Sequence, residues 1–462
     1  MLRKAKESHQ LRGIKSSQQG LCISHLLFSV DSLLFCRAIV KECQWLLDLL
    51  ETYDVASGQA INRQKTSLFF SINTKPEVRR VIQQFLGARI MSNIDEYLGL
   101  PIASGKSKVN TFKELQEKIT KRVMGWKEKF ISKAGCEILI KTMAQAIPTY
   151  SMSLFKIPKV ICDNINSILS KYWWRQTKEE RKIHWINWQK LCTHKKNGGM
   201  GFRDVSAFNL AMLAKQAWRL IHNNQSLFYR VYKARYFPNC SFMTAELGPN
   251  PSFVWRSLLV ARDVIREGST WKVGDGRNIG VLSHKWLQNE PNFLHEPDEQ
   301  MRVSDLINHD TRQWDRGKLV ATFTQSTCAK ILALPLNHLD SQDNLTWIEN
   351  KTKQFSVKSA YRVALKLKFG DWVEHSSTRE HDATWGRIWK LNVPLKVLTF
   401  IWRACNNYLP TRNNLCRRKA QIEATCEFYQ RELETTNNIP CALVLPICTE
   451  CVGFDKRPSL EM

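Results

Sequence analysis

One carboxylate stands out by its setting. In Ile23-Ser24-His25-Leu26-Leu27-Phe28-Ser29-Val30-Asp31-Ser32-Leu33-Leu34-Phe35, two apolar runs flank a short polar tip that carries Asp31. The pattern predicts a buried β-hairpin presenting Asp31 at its turn. A carboxylate there is a hard oxygen ligand, but Asp is also an ordinary turn residue. A second candidate chemistry is metal binding by thiolates near the C-terminus. Structural zinc takes four ligands, and Cys426, Cys441, Cys448 and Cys451 could form an all-cysteine set. Two other candidates fail on spacing. Cys192-x-His194 has no matching second half, and Gly198-Gly199-Met200-Gly201 lacks the downstream Lys-Ser/Thr of a phosphate-cradling loop. The latter reads as a tight turn into a helix over about 205–221.

The elements that would position these groups follow from periodicity. Val40, Cys43, Leu46, Leu47 and Leu50 share one side of a helix over 38–56, and Ser57-Gly58 is its C-terminal stop. Leu68-Phe69-Phe70 reads as a buried strand, and residues 77–86 as a helix. From 108 to 146 the pattern is helical, with Leu115, Ile119, Val123, Ile138 and Leu139 facing a core. Between Ser104 and Lys141 there are 10 Lys/Arg against 4 Glu, so the opposite face can track a phosphate backbone. Trp173, Trp174, Trp185 and Trp188 then fall within 16 residues among basic side chains. Such a block suits either stacking on bases or core packing. Proline, Asn and acidic residues around Asn289–Pro297 read as a linker.

Bulk composition points the same way. The 462 residues carry 68 Lys+Arg against 42 Asp+Glu, a formal charge of +26, which favours an anionic partner and nucleic acid above all. With 43% hydrophobic residues the chain is no disordered polypeptide, and no window resembles a membrane span. Fourteen Cys without framework spacing, and no secretory signal, are expected of a reducing intracellular compartment, nuclear or cytoplasmic.

The wording of the hairpin resembles the catalytic hairpin of reverse transcriptases from plant LINE-type non-LTR retrotransposons, where Ala-Asp-Asp sits between apolar strands. Here Ser29-Val30-Asp31 stands in that place, so Val30 replaces the first of the paired aspartates. Further stretches resemble the family in order. Ser57-Gly58-Gln59-Ala60-Ile61-Asn62-Arg63-Gln64-Lys65 matches a segment whose lysine is a candidate proton donor. Tyr97-Leu98-Gly99-Leu100-Pro101 matches the primer-grip turn, and Met124-Gly125-Trp126-Lys127 and Ile147-Pro148-Thr149-Tyr150 match the thumb. Phe355 to Thr411 resembles the reverse-transcriptase zinc-binding region. There Cys426 retains the first ligand, Tyr429 replaces the second, and Asn437-Asn438 follow where a histidine is expected.

The resemblance implies an α+β, predominantly α-helical fold: a small β palm remnant at the N-terminus, a helical thumb and helical C-terminal domains. The expected boundaries are 1–103 for the partial palm, 104–170 for the thumb-like region, 171–290 for the Trp-rich basic region, 301–436 for the degenerate zinc-binding-like region and 437–462 for a divergent tail. Asp31 is expected as a remnant metal ligand and Lys65 as the proton donor. Tyr97, Leu98, Gly99, Leu100 and Pro101 would form the primer grip. Nucleic acid would meet Lys118, Lys121, Arg122, Trp126, Lys127, Lys129, Lys133, Arg175, Lys195 and Lys196. Cys426 and Cys441 remain of an incomplete zinc site. The expected function is a truncated, degenerate portion of an RNA-directed DNA polymerase, inactive alone yet binding RNA and primer–template. The intact family uses Mg²⁺, whose site is incomplete here, and zinc is doubtful. The competing class is a non-enzymatic nucleic-acid-binding protein derived from a retroelement, or a remnant without function.

Overall fold

The computed structural model describes every residue except 16, 18–19, 29–30, 63, 92–95, 98–99, 102–106, 128–130, 176–181, 297, 309, 312, 337–341, 371–378, 427–432 and 437–462. Helices dominate, and the described strands pair only in twos, so the mostly helical α+β expectation holds. Among the described residues no helix is long and apolar enough to cross a membrane. The chain divides into two units, Met1–Thr111 with Gln216–Leu259, and Phe112–Lys215 with Val260–Met462.

The first unit contains the predicted hairpin. His25–Phe28 pairs antiparallel with Asp31–Leu34, in a register that sets Phe28 opposite Asp31 and Leu26 opposite Leu33. The next helix, Val40–Ser57, buries Cys43, Leu46 and Leu49 along one stripe. Leu46 and Leu49 join Ala5 and Leu11 in a small core, with Leu34 and Cys36 packed against it. Gly58 ends the helix with φ 68°, a left-handed conformation that costs glycine little and other residues more. Ser67–Leu68 pairs in parallel with Arg89–Ile90, joined by the helix Pro76–Leu86. Further on, Trp255 is fully buried among Tyr232, Tyr236, Phe237 and Phe242, and its ring stacks on Tyr236 at 4.7 Å and on Phe237 at 5.7 Å.

The second unit is built from helices. The helix Lys159–Trp173 buries Ile161, Cys162, Ile165, Leu169, Tyr172 and Trp173. Ser132 caps the helix Lys133–Leu139 by accepting from the Gly135 amide at 3.2 Å. Strand Ser269–Lys272 pairs antiparallel with Asn344–Trp347, each partner standing more than seventy residues later in the chain. Between them lies a separate cluster around Ile279, Val303, Leu319, Phe323 and Ile331. Phe293, inside the stretch expected as a linker, bridges to Phe323 and packs on that cluster. A side-chain carboxylate organises the start of this module. Asp343 accepts from the amides of Gly274 (2.8 Å), Gly276 (2.9 Å) and Asn278 (2.9 Å).

Candidate nucleic-acid interface

In the first unit, Asp31 opens its strand and is exposed. The hairpin itself departs from expectation at its tip, where Leu27 is 61% and Phe28 63% exposed, while Leu33 and Leu34 at its base are half-buried. Among the described residues its two strands pair with each other and no further strand extends the sheet. Lys65 lies in a turn whose Asn62 carboxamide oxygen accepts from the Lys65 amide at 3.1 Å, and its side chain is exposed. Tyr97 pairs with Leu100, and Glu96 with Pro101; Leu98 and Gly99, the centre of the expected turn, lie outside the described residues. Leu100 is buried, and the strand ends at Pro101. Among the described residues no three His, Cys, Asp or Glu side chains come together as a metal site. One exposed carboxylate does not fit a site for two Mg²⁺ ions.

The basic helix Lys108–Lys127 lies in the second unit from Phe112 onward. It buries Phe112, Ile119, Val123 and Trp126 on one stripe. Trp126 is 8% exposed, with its ring 5.7 Å from Tyr172, so it is a packing residue and not part of a solvent-facing surface. On the other side Lys118 pairs with Glu114 at 2.9 Å, while Lys121 and Arg122 are exposed. Lys127 is the last helical residue, and Lys129 lies outside the described residues.

Of the remaining expected cations, Lys133 and Lys195 are drawn into the fold, whereas Arg175 and Lys196 stay on its surface. The Lys133 amine sits over the rings of Trp173 and Trp174 at 5.0 and 5.6 Å and donates to the Trp173 carbonyl. Burial pushes it down to about 8. Arg175 is exposed and donates to the Ile131 carbonyl. Lys195 pairs with the buried Glu137 at 2.7 Å, which also holds Lys141 at 2.6 Å. Its amine lies 4.0 Å from the Trp389 ring centre. Lys196 is exposed.

The tryptophan block resolves toward packing. Trp173 is 1% and Trp174 7% exposed; Trp173 meets Phe202 edge-on at 5.2 Å, and Trp188 stacks on Phe202 at 5.0 Å. The Gly-Gly-Met-Gly turn has a structural use that sequence reasoning missed. The Trp389 indole donates to the Lys195 carbonyl at 3.1 Å, and the Trp402 indole to the Gly198 carbonyl at 2.7 Å. A Cβ on Gly198 would meet the Trp385 ring at 3.0 Å, so only glycine lets that ring approach. Three tryptophans from the C-terminal region therefore dock on one turn. A second link between these regions was also unforeseen. Asp204, 5% exposed, receives the Lys368 amine at 2.8 and 2.9 Å and the Asn166 carboxamide at 3.3 Å, and its own amide donates to the Tyr361 hydroxyl at 2.8 Å.

Residues 355–442, which supply Tyr361, Lys368 and the three docking tryptophans, match a family described as zinc-binding in reverse transcriptase. The chain is also similar to two proteins of Arabidopsis thaliana. One, the uncharacterized mitochondrial protein AtMg00310, is 40% identical over 146 residues, which are 31% of this chain and 95% of that protein. The other, At1g65750, provisionally named a ribonuclease H protein, is 29% identical over 347 residues, 73% of this chain. The chain spans about half of that relative's length, 54%. The chain belongs to the family of AtMg00310, and its residues 355–442 carry the reverse-transcriptase-related region.

The matched region is named for zinc, and the described part of it does not supply a site. Cys426 is 2% exposed beside the bridge of Thr425 to Leu433. The carboxylate of Glu434 is held by Arg412 at 3.6 Å. Cys441 lies outside the described residues. One thiol and an engaged carboxylate do not make the four ligands of a closed zinc site.

Proposed function

We propose that this chain derives from a LINE-type RNA-directed DNA polymerase and binds RNA and primer–template duplex without copying them by itself. The observation that carries the reading is the division of the helix Lys108–Lys127. Its apolar stripe is buried, whereas Lys121 and Arg122 remain exposed on a chain of charge +26. Exposed cations on a rigid helix bind phosphates and release counterions, so affinity falls with salt. The loss of copying rests on Val30, which offers no oxygen where the family's paired acids hold metal, and on the lone exposed Asp31. Without metal neutralisation the charge that develops in phosphoryl transfer goes unstabilised.

The test is binding of a labelled primer–template and of an RNA strand across a salt series, with a primer-extension assay in Mg²⁺ alongside. The expected slope of log affinity against log salt exceeds about two released ions in magnitude. Lys121→Glu with Arg122→Glu should flatten it while leaving the melting transition in place. A flat slope would remove the binding half of the reading, and Mg²⁺-dependent extension by the unmodified chain would remove the other half.

A further inference from the structure

The first unit carries a cationic, aromatic depression that no role described above uses. The helix Leu227–Tyr236, capped by Ser226, reads Leu-Phe-Tyr-Arg-Val-Tyr-Lys-Ala-Arg-Tyr and contains no acidic residue. Tyr232 and Tyr236 turn toward the buried Trp255, at 6.1 and 4.7 Å. Beside that cluster, with Tyr229 at the border, an open depression of about 330 Å³ is lined by Leu21, Tyr229, Arg230, Lys233, Ala234 and Pro238. That volume falls at the small end of ordinary ligand sites.

The lining has the composition of a nucleotide site. Tyr229 is half-buried, braced edge-on by Phe237 at 6.1 Å, so its ring is held in place. Leu21, Ala234 and Pro238 supply apolar wall. Arg230 is exposed, and among the described residues its guanidinium has no hydrogen-bond or ion-pair partner. The Lys233 amine gives one hydrogen bond to the Cys240 carbonyl at 2.8 Å, and an ammonium has three to give. An aromatic face beside cations with spare donors is the pairing that holds an unpaired base and its phosphate. A fully solvated basic helix face would lack the braced ring and the apolar wall.

We infer that this depression binds one unpaired nucleotide of a single-stranded nucleic acid, the base on Tyr229 and the phosphate on Arg230 and Lys233. The inference rests on the nucleic-acid-binding reading above and adds a second point of contact, specific for unpaired strand. The probe is a short oligouridylate carrying 4-thiouridine, bound to the full-length chain, irradiated and mapped by peptide mass spectrometry. The expected crosslink falls on the peptide containing residues 229–238.

Arg230 is exposed, so Arg230→Ala should fold normally, weaken oligouridylate about tenfold and leave duplex affinity unchanged; Arg230→Lys should restore part of the loss. Uridine monophosphate should compete at lower concentration than inorganic phosphate. Crosslinks confined to other peptides, an unaltered affinity in Arg230→Ala, or equal competition by the two anions would each overturn the inference while leaving the proposed function standing. Failure of the chain to bind either single strand or duplex would overturn both.

Discussion

The hairpin around Asp31 and the block around Trp173 exchange the environments that their residues suggest. The hairpin is apolar in composition, yet Leu27 and Phe28 are more than half exposed. The tryptophan block is laced with Lys and Arg, yet Trp173 and Trp174 are buried. The difference lies in what each finds to pack against. Among the described residues the hairpin's strands pair only with each other and the Leu34 end alone reaches the small core, whereas the tryptophans meet Phe202, Lys133 and each other within one unit. Burial follows the partners available in the fold and not the local hydrophobicity of a motif.

The sharpest way to break this comparison is to remove an aromatic from the docked side. Trp402 is fully buried with its indole on the Gly198 carbonyl, and Trp402→Ala should cost about 3–5 kcal/mol in urea denaturation. A cost below about 1 kcal/mol would mean that the turn and the C-terminal region are not packed together. Asp204→Ala comes next. It strands Lys368 and the Asn166 carboxamide, but the Lys368 side chain is 26% exposed, so about 2–4 kcal/mol is expected. Lys368→Met in the same background should recover part of that, and strict additivity of the two changes would deny the pair.

A smaller effect concerns pH. Burial holds the Lys133 amine at about 8 in the folded chain, below its ordinary 10.5. The unfolded chain therefore binds more protons between those values, and stability rises with pH across that window. Below about 8 the charged amine is disfavoured in the fold and the penalty is complete. Lys133→Met should remove this part of the slope, as read from urea midpoints between pH 8 and 10. The smallest effect is expected on the hairpin. Phe28→Ser should change stability by no more than about 0.5 kcal/mol, because the ring is 63% exposed.

Local signals in the sequence translated well into local structure. Gly58 ends its helix, Tyr97 pairs with Leu100, and the stripe of Ile119 and Val123 is buried. These features depend on neighbours a few positions away, which a period or a turn residue reveals. Trp126 went the other way, because an aromatic beside lysines carries no mark of which face it takes. The partners of the Gly198 turn stand about two hundred positions downstream, at Trp389 and Trp402, and nothing in the turn announces them. Asp204 and Lys368 are similarly distant, 164 positions apart. The zinc-binding resemblance was legible from wording, whereas its ligand set was not, since Cys426 is the described cysteine of the expected pair.

The paired strands Ser269–Lys272 and Asn344–Trp347 bring the two ends of the intervening stretch side by side, and Asp343 clasps the loop at its mouth. A stretch anchored in this way behaves as a cassette. Its interior can be lengthened, shortened or exchanged during descent, while the helices that flank the doorway keep their places.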